Sequence, residues 1–160
     1  MADTSLWPVV VGGLLGVSGT MVGVIGTTIR DVAQQCHDKA KRRADKFEEL
    51  VAAVYEFDHW LDGIRNRDAF GHDNVPETAS PFAKVQSISS IYFPQFVEPI
   101  AELDQASTQY RVWIHKAEGR RVTNNVAQLS DGYAEASMPY VQKRQELLNA
   151  LQKFARNEFQ

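Results

Sequence analysis

Cysteine is nearly absent from this chain, since Cys36 is the only one among 160 residues. An intrachain disulfide and a cysteine-rich zinc module are therefore excluded. The chain also lacks a basic excess, because 17 Lys and Arg residues stand against 20 Asp and Glu, a formal net charge of -3. The composition thus argues against a general nucleic-acid-binding protein.

Charge is missing altogether from the 24 residues Leu6–Ile29. A helix rises about 1.5 Å per residue and needs about 20 residues to cross the hydrocarbon core of a bilayer. We therefore predict an N-terminal tail and transmembrane helix in residues 1–29, followed by a separate domain in residues 30–160. The alternative is a cleaved signal peptide, but its basic leading region is absent because only Asp3 is charged there.

Basic residues follow this uncharged segment closely. Positively charged flanks stay in the cytoplasm, so the expected topology is N-terminus out and C-terminal domain cytoplasmic. From size and topology we place the protein, as a hypothesis, in a bacterial inner membrane. The flank is either a solvated helix face or, in an oligomer, a ring that attracts anions. This basic cluster consists of Lys39, Lys41, Arg42, Arg43 and Lys46.

Small residues in the uncharged segment fall on one side of a helix. Such a side lets helix backbones approach and pack in a bilayer, so it predicts a homo-oligomer. Thr20 and Thr27 border the same side and would line a pore if the helices formed a ring. The alternative is that glycine is simply common in membrane helices. This glycine face comprises Gly12, Gly16, Gly19, Gly23 and Gly26, and its register continues to Ala33 and Ala40.

The same heptad register changes from small to bulky residues beyond the membrane. No proline occurs between Pro8 and Arg67, which predicts one long helix continuous from the membrane into the cytoplasm. The alternative is a break near residues 29–31, with the cytoplasmic helix packed only within its own chain. The bulky positions would accept other helices of a bundle. They are Phe47, Leu50, Val54, Phe57, Leu61 and Ile64.

Helical periodicity continues through the rest of the chain, and no strand alternation appears. Turn-forming residues predict a loop over residues 69–80. A second helix is expected over 81–91, a joint at Phe93 and Pro94, and a third helix from about 99 to 119. Proline is favoured in a first helical turn, so the last helix is expected to open at Pro139 and to end near Phe159. The predicted fold class is an all-α cytoplasmic bundle behind one membrane helix.

Catalytic and metal-binding motifs are sparse. Glu56 and His59 have the Glu-x-x-His spacing of di-iron bundles, but no second pair accompanies them. Cys36 and His37 are adjacent, so on a helix they point about 100° apart and cannot grip one ion within a single chain. We therefore expect no metal and no cofactor.

The segment from Arg65 to His72, Arg-Asn-Arg-Asp-Ala-Phe-Gly-His, contains both Arg-x6-His and Arg-x4-His. It resembles the Arg-x(4–6)-His signature of the HEPN family, whose all-α domains often act as ribonucleases after dimerising. The resemblance covers these eight residues and implies catalytic roles for Arg65 or Arg67 and for His72. The alternative is that His72 is a solvated loop residue.

Three functions follow as hypotheses. The first is a non-enzymatic, self-associating membrane protein whose cytoplasmic helices sense or dock a protein partner; as a ring it would be a pore-forming effector of the kind used in antiviral defence. The second is a closed assembly that acts as a membrane-tethered scaffold. The third is a HEPN-like ribonuclease. The first two imply membrane lipid, copies of the chain and a cytoplasmic protein as partners.

Overall fold

The computed structural model describes the backbone of residues 7–72 and 79–159, and their side chains except those of residues 7–33 and 36. Over these ranges the chain forms four α-helices and no strand, which confirms the all-α fold class. A π-helical turn, Arg65–Ala69, follows the first helix, and short 3₁₀ turns, Pro94–Phe96 and Val126–Gln128, precede the third and fourth. The helices are α1, Trp7–Ile64; α2, Phe82–Tyr92; α3, Val97–Val122; and α4, Tyr133–Glu158.

The chain divides into two compact units, Met1–Arg43 and Ala44–Gln160. All described side chains of the first unit are exposed. Among the residues whose side chains are described, no helix is long and apolar enough to cross a bilayer. The transmembrane helix predicted at Leu6–Ile29 lies outside the residues whose side chains are described.

One apolar stripe of α1 forms the centre of the second unit. Its residues recur at helical spacing and are at most 7% exposed: Phe47, Leu50, Val54, Phe57 and Leu61. Each such side chain contributes about 1.5–3 kcal/mol when it leaves water. The other helices supply the opposing surface with Val85, Ile100, Leu103, Ile114, Leu147 and Leu151. Five of the six predicted bulky positions are thus core residues, and the sixth, Ile64, is partly buried against them. Helices of the same chain cover them.

The joint between α2 and α3 is fixed by an aromatic residue. Phe93 ends α2, where its backbone N–H donates to the Ser89 carbonyl at 2.9 Å, and its side chain is fully buried. Its ring lies 5.5 Å from that of Phe47 and 5.9 Å from that of Phe154. Pro94 then starts a 3₁₀ turn, because its ring fixes φ and removes a hydrogen-bond donor. The predicted joint is confirmed.

The last helix begins earlier than the sequence suggests. It starts at Tyr133, so Pro139 lies inside α4 rather than at its first turn. Gly132, with φ of 75°, adopts the left-handed conformation that precedes the helix. The Trp113 indole N–H donates to the Asp131 carbonyl at 2.9 Å, and its ring packs edge-on against Tyr133. These tertiary contacts hold the additional turns in place despite the donor that Pro139 lacks.

The loop predicted from residue 69 also begins later than expected. Ala69 is the last residue of the π turn and is fully buried. Gly71 follows with φ of +74°, and a Cβ added there would lie 3.0 Å from Nη1 of Arg121. The turn therefore closes tightly against α3.

Replacing Phe93 with alanine should lower the free energy of unfolding by about 3–5 kcal/mol, because it opens a cavity between the rings of Phe47, Phe96 and Phe154. Ile91→Ala is the matched control, since Ile91 is 71% exposed and its truncation should change stability by about 0.5 kcal/mol or less. Urea unfolding followed by circular dichroism at 222 nm measures both. Equal effects of the two substitutions would contradict this packing.

Candidate functional site

The residues expected to act at the membrane fall in two groups. The glycine face, Ala33, Thr20 and Thr27 lie outside the residues with described side chains, whereas Ala40 is described and exposed. In the basic cluster, Lys39, Lys41, Arg42 and Arg43 are exposed. Lys46 is half-buried, forms an ion pair with Glu49 and lies 5.9 Å from the centre of the Tyr92 ring. Lys46 thus belongs to the folded unit as much as to the basic cluster.

The π turn carries the two arginines of the HEPN-like segment. Arg65 forms an ion pair with Asp62 at 3.0 Å, and Arg67 forms one with Asp68 at 2.6 Å. Both guanidinium groups therefore have a carboxylate at contact distance. His72 is exposed, and its backbone N–H donates to the Asn66 carbonyl at 3.0 Å. The ribonuclease hypothesis requires a guanidinium that meets a phosphoryl oxygen, so these ion pairs do not favour it. It stays a prediction from the sequence.

A half-buried carboxylate, that of Asp58, connects α1 to α4. The hydroxyl of Tyr140 donates to Asp58 Oδ1 at 2.8 Å, and Arg144 forms an ion pair with the other carboxylate oxygen. Burial, with Asp58 as a further cause, raises the pKa of Tyr140. The two donors together compensate the half-buried negative charge of Asp58, and removing either donor would leave that charge partly uncompensated. The arrangement holds two helices together and offers no open position for a substrate.

Tyr110 links this network to Arg65. Its ring is stacked on Tyr140 and Trp113, with centroids 5.7 Å and 6.0 Å away. Its hydroxyl accepts a long hydrogen bond of 3.5 Å from Nη1 of Arg65. Burial raises the pKa of Tyr110 to about 12, although the contact with Arg65 acts in the opposite direction. Arg65, one of the two arginines of the HEPN-like segment, thus lies beside a tyrosine that is itself stacked on other aromatic rings.

Potential metal-ligating side chains converge away from the Glu56 and His59 pair considered in the sequence. Glu56 pairs with Lys84 at 3.4 Å, and His59 is exposed on the same helix. Among the described residues, three potential ligands come together where the π turn meets α3. Asp68, His115 and Glu118 each offer one ligand atom, and these atoms all lie within 4.8 Å of one another.

Sequence reasoning missed both clusters. Asp58 and Asp62 are spaced i, i+4 beside the apolar stripe, and Tyr140 and Arg144 share that spacing on α4. Either pair was a signal for a polar contact at the edge of the core. His115 and Glu118 have the His-x-x-Glu spacing, the reverse of the Glu56 and His59 pair. Asp68 lies far from this pair in the sequence, so only the folded structure shows that it joins them.

An apolar groove lies beside Phe47, between α1 and α4. Val51 and Leu148 line one part of it, a depression of about 450 Å³, and Ala52 and Phe159 line the adjoining part, of about 520 Å³. Comparison of the chain with protein-family models, curated proteins and solved structures gives no match.

The folded protein should lose stability as the pH rises from about 10 towards 12. An exposed tyrosine ionises near pH 10, whereas Tyr110 in the folded chain keeps its proton to about pH 12. Between these values the unfolded chain releases a proton that the folded chain retains, which favours unfolding.

Tyr110→Phe should therefore show a shallower loss of unfolding free energy over this range than the wild type. Urea unfolding at pH 9, 10 and 11 measures the difference. Tyr55→Phe, which changes a ring that is 56% exposed, is the control. An unchanged slope in Tyr110→Phe would show that the hydroxyl is not shielded as described.

Proposed function

We propose that this chain is a single-pass membrane protein that self-associates through its glycine face and presents a cytoplasmic helical domain to a protein partner. The observation that carries the proposal is the uncharged segment Leu6–Ile29 directly ahead of the basic cluster. A segment of that length has no ordinary place in a small water-exposed domain, whereas it matches the thickness of a bilayer. The positive flank assigns the following residues to the cytoplasm.

The folded unit Ala44–Gln160 supports the second half of the proposal. Its apolar residues form a core within that unit, so it needs no packing surface from the lipid. Ion pairs on its surface, such as those of Lys84 with Glu56 and of Lys143 with Glu102, are compatible with an aqueous compartment. A domain of this kind, held by one membrane helix, is concentrated at the membrane surface. It is suited to docking a partner there.

The packing of α1 supports assembly through the glycine face in particular. The bulky residues of the heptad register are covered by α2, α3 and α4 of the same chain. They are therefore occupied in the folded monomer. In the same register, small residues remain for contacts between copies. Helix association in lipid depends on such close-packing residues, because apolar side chains gain nothing by leaving lipid for one another.

Two outputs are compatible with this assembly in a bacterial inner membrane. A ring with Thr20 and Thr27 facing a lumen would conduct ions and act as a membrane-permeabilising effector, as in antiviral defence. A closed cluster of helices would serve as a scaffold. Subunit number and conductance distinguish these outputs.

The topology is tested with single cysteines in a Cys36→Ser background. Ser5→Cys precedes the uncharged segment, and Ser130→Cys is an exposed position of the helical unit. In right-side-out vesicles from a bacterial host, a membrane-impermeant maleimide should label Ser5→Cys only. After the vesicles are permeabilised, it should label both. Release of the chain from membranes by carbonate, or labelling of Ser130→Cys in sealed vesicles, would refute the proposed topology.

Self-association is tested by placing large side chains on the glycine face. In nanodiscs or detergent, native mass spectrometry should show an oligomer for the wild type and a monomer for Gly19→Leu/Gly23→Leu, because leucine separates the helix backbones. Val17→Leu/Met21→Leu places leucine at two positions on the rest of the helix surface and is the matched control.

The control variant should form an oligomer with the same number of subunits as the wild type. A monomeric wild type, or an oligomer that survives the two glycine substitutions, would contradict assembly through this face. If the wild type and the control form the oligomer and the glycine variant does not, conductance across a planar bilayer is measured next. A pore would conduct ions, whereas a scaffold would not.

A further inference from the structure

Three side chains, one from the π turn and two from α3, meet at one place. His115 and Glu118 project from adjacent turns of α3, with Nδ1 of the histidine 3.6 Å from Oε2 of the glutamate. Asp68 reaches the same place from the π turn, and one ligand atom of each residue lies within 4.8 Å of the others. The three residues bring one imidazole and two carboxylates to a common point. We name them the Asp-His-Glu cluster.

Asp68 is the fixed member of this cluster. Its side chain is 13% exposed, and its carboxylate accepts hydrogen bonds from Nε of Arg67 at 2.6 Å and from Nη2 at 3.3 Å. Its backbone carbonyl accepts from Nε of Arg121 at 3.1 Å. The next residue, Ala69, is fully buried, so the π turn cannot move independently of the core. Metal-ligating carboxylates are also oriented by hydrogen bonds from neighbouring groups. Each oxygen of Asp68 accepts one such bond and keeps a second lone pair for an ion.

The other two members can adjust. The His115 side chain is 70% exposed and that of Glu118 is 40% exposed, so both have freedom to change rotamer. Zinc–nitrogen and zinc–oxygen bonds are about 2.0–2.2 Å, which puts neighbouring ligand atoms of a tetrahedral ion about 3.3 Å apart. The histidine-to-glutamate distance is already close to that value. Small side-chain rotations would bring all three atoms within reach of one ion.

From this geometry we propose that Asp68, His115 and Glu118 bind one divalent transition-metal ion of the Zn²⁺ type. One imidazole with two carboxylates suits Zn²⁺ better than Mg²⁺ or Ca²⁺, which prefer oxygen ligands throughout. The adjacent guanidinium groups of Arg67 and Arg121 lower the negative charge of the cluster, so we expect moderate affinity. A bound ion would join the π turn to α3. The proposal does not depend on membrane insertion or self-association.

The test uses the purified full chain after treatment with a chelator. Titration with ZnCl₂ in a calorimeter should show one ion per chain, and zinc should raise the thermal unfolding temperature. His115→Ala and Glu118→Gln should each weaken binding roughly tenfold or more, since each removes a direct ligand. Both side chains are at least 40% exposed, so neither substitution should disturb the fold, as circular dichroism without metal will verify.

The chain provides a matched control in Glu56 and His59, which form a similarly spaced pair on α1. Among the described residues, no third ligand joins them. Glu56→Gln and His59→Ala should bind zinc as the wild type does. Absence of zinc binding, binding that is unchanged in His115→Ala, or equal loss in the control variants would each overturn the proposal. The proposal would also be overturned if Mg²⁺ bound with the same affinity as Zn²⁺ and its binding did not depend on His115.

Discussion

Burial of the apolar stripe of α1 is the constraint on which the second unit depends. Once Phe47 and Phe57 face inward, the rotation of α1 about its axis is fixed, and so is the direction of every neighbouring side chain. Asp58 then lies at the edge of the core, where it meets Tyr140 and Arg144. The polar network is therefore a consequence of hydrophobic packing, and its hydrogen bonds add specificity to a contact that the apolar residues already enforce.

Periodicity predicts this part of the fold well because each helix buries one face. The stripe of α1 and the joint at Phe93 both follow from spacing and from proline geometry. The two discrepancies have a common origin. The early start of α4 depends on Gly132 and on Trp113, and the π turn depends on its contact with α3. A local pattern does not contain contacts between distant segments.

In the candidate site too, the local spacing could be read from the sequence, whereas the contacts between distant segments could not. The HEPN-like segment drew attention to Arg65, Arg67 and His72, which carry the recognisable spacing. Folding pairs each arginine with a nearby carboxylate and directs Asp68 towards α3. His115 and Glu118 were detectable as an i, i+3 pair, but the third member of their cluster lies far away in sequence. Asp68 could not be added without knowing how the π turn packs.

Folding and assembly, as proposed, would use separate parts of one heptad register. The bulky residues are buried in the core of their own chain, and the removal of apolar surface from water drives this burial. The small-residue part would act in lipid, where that driving force is absent and close backbone packing replaces it. Between the two parts of the register lies the basic cluster, of which Lys46 already pairs with Glu49 within the folded unit. The two kinds of packing would therefore operate in different solvents without competing for the same residues.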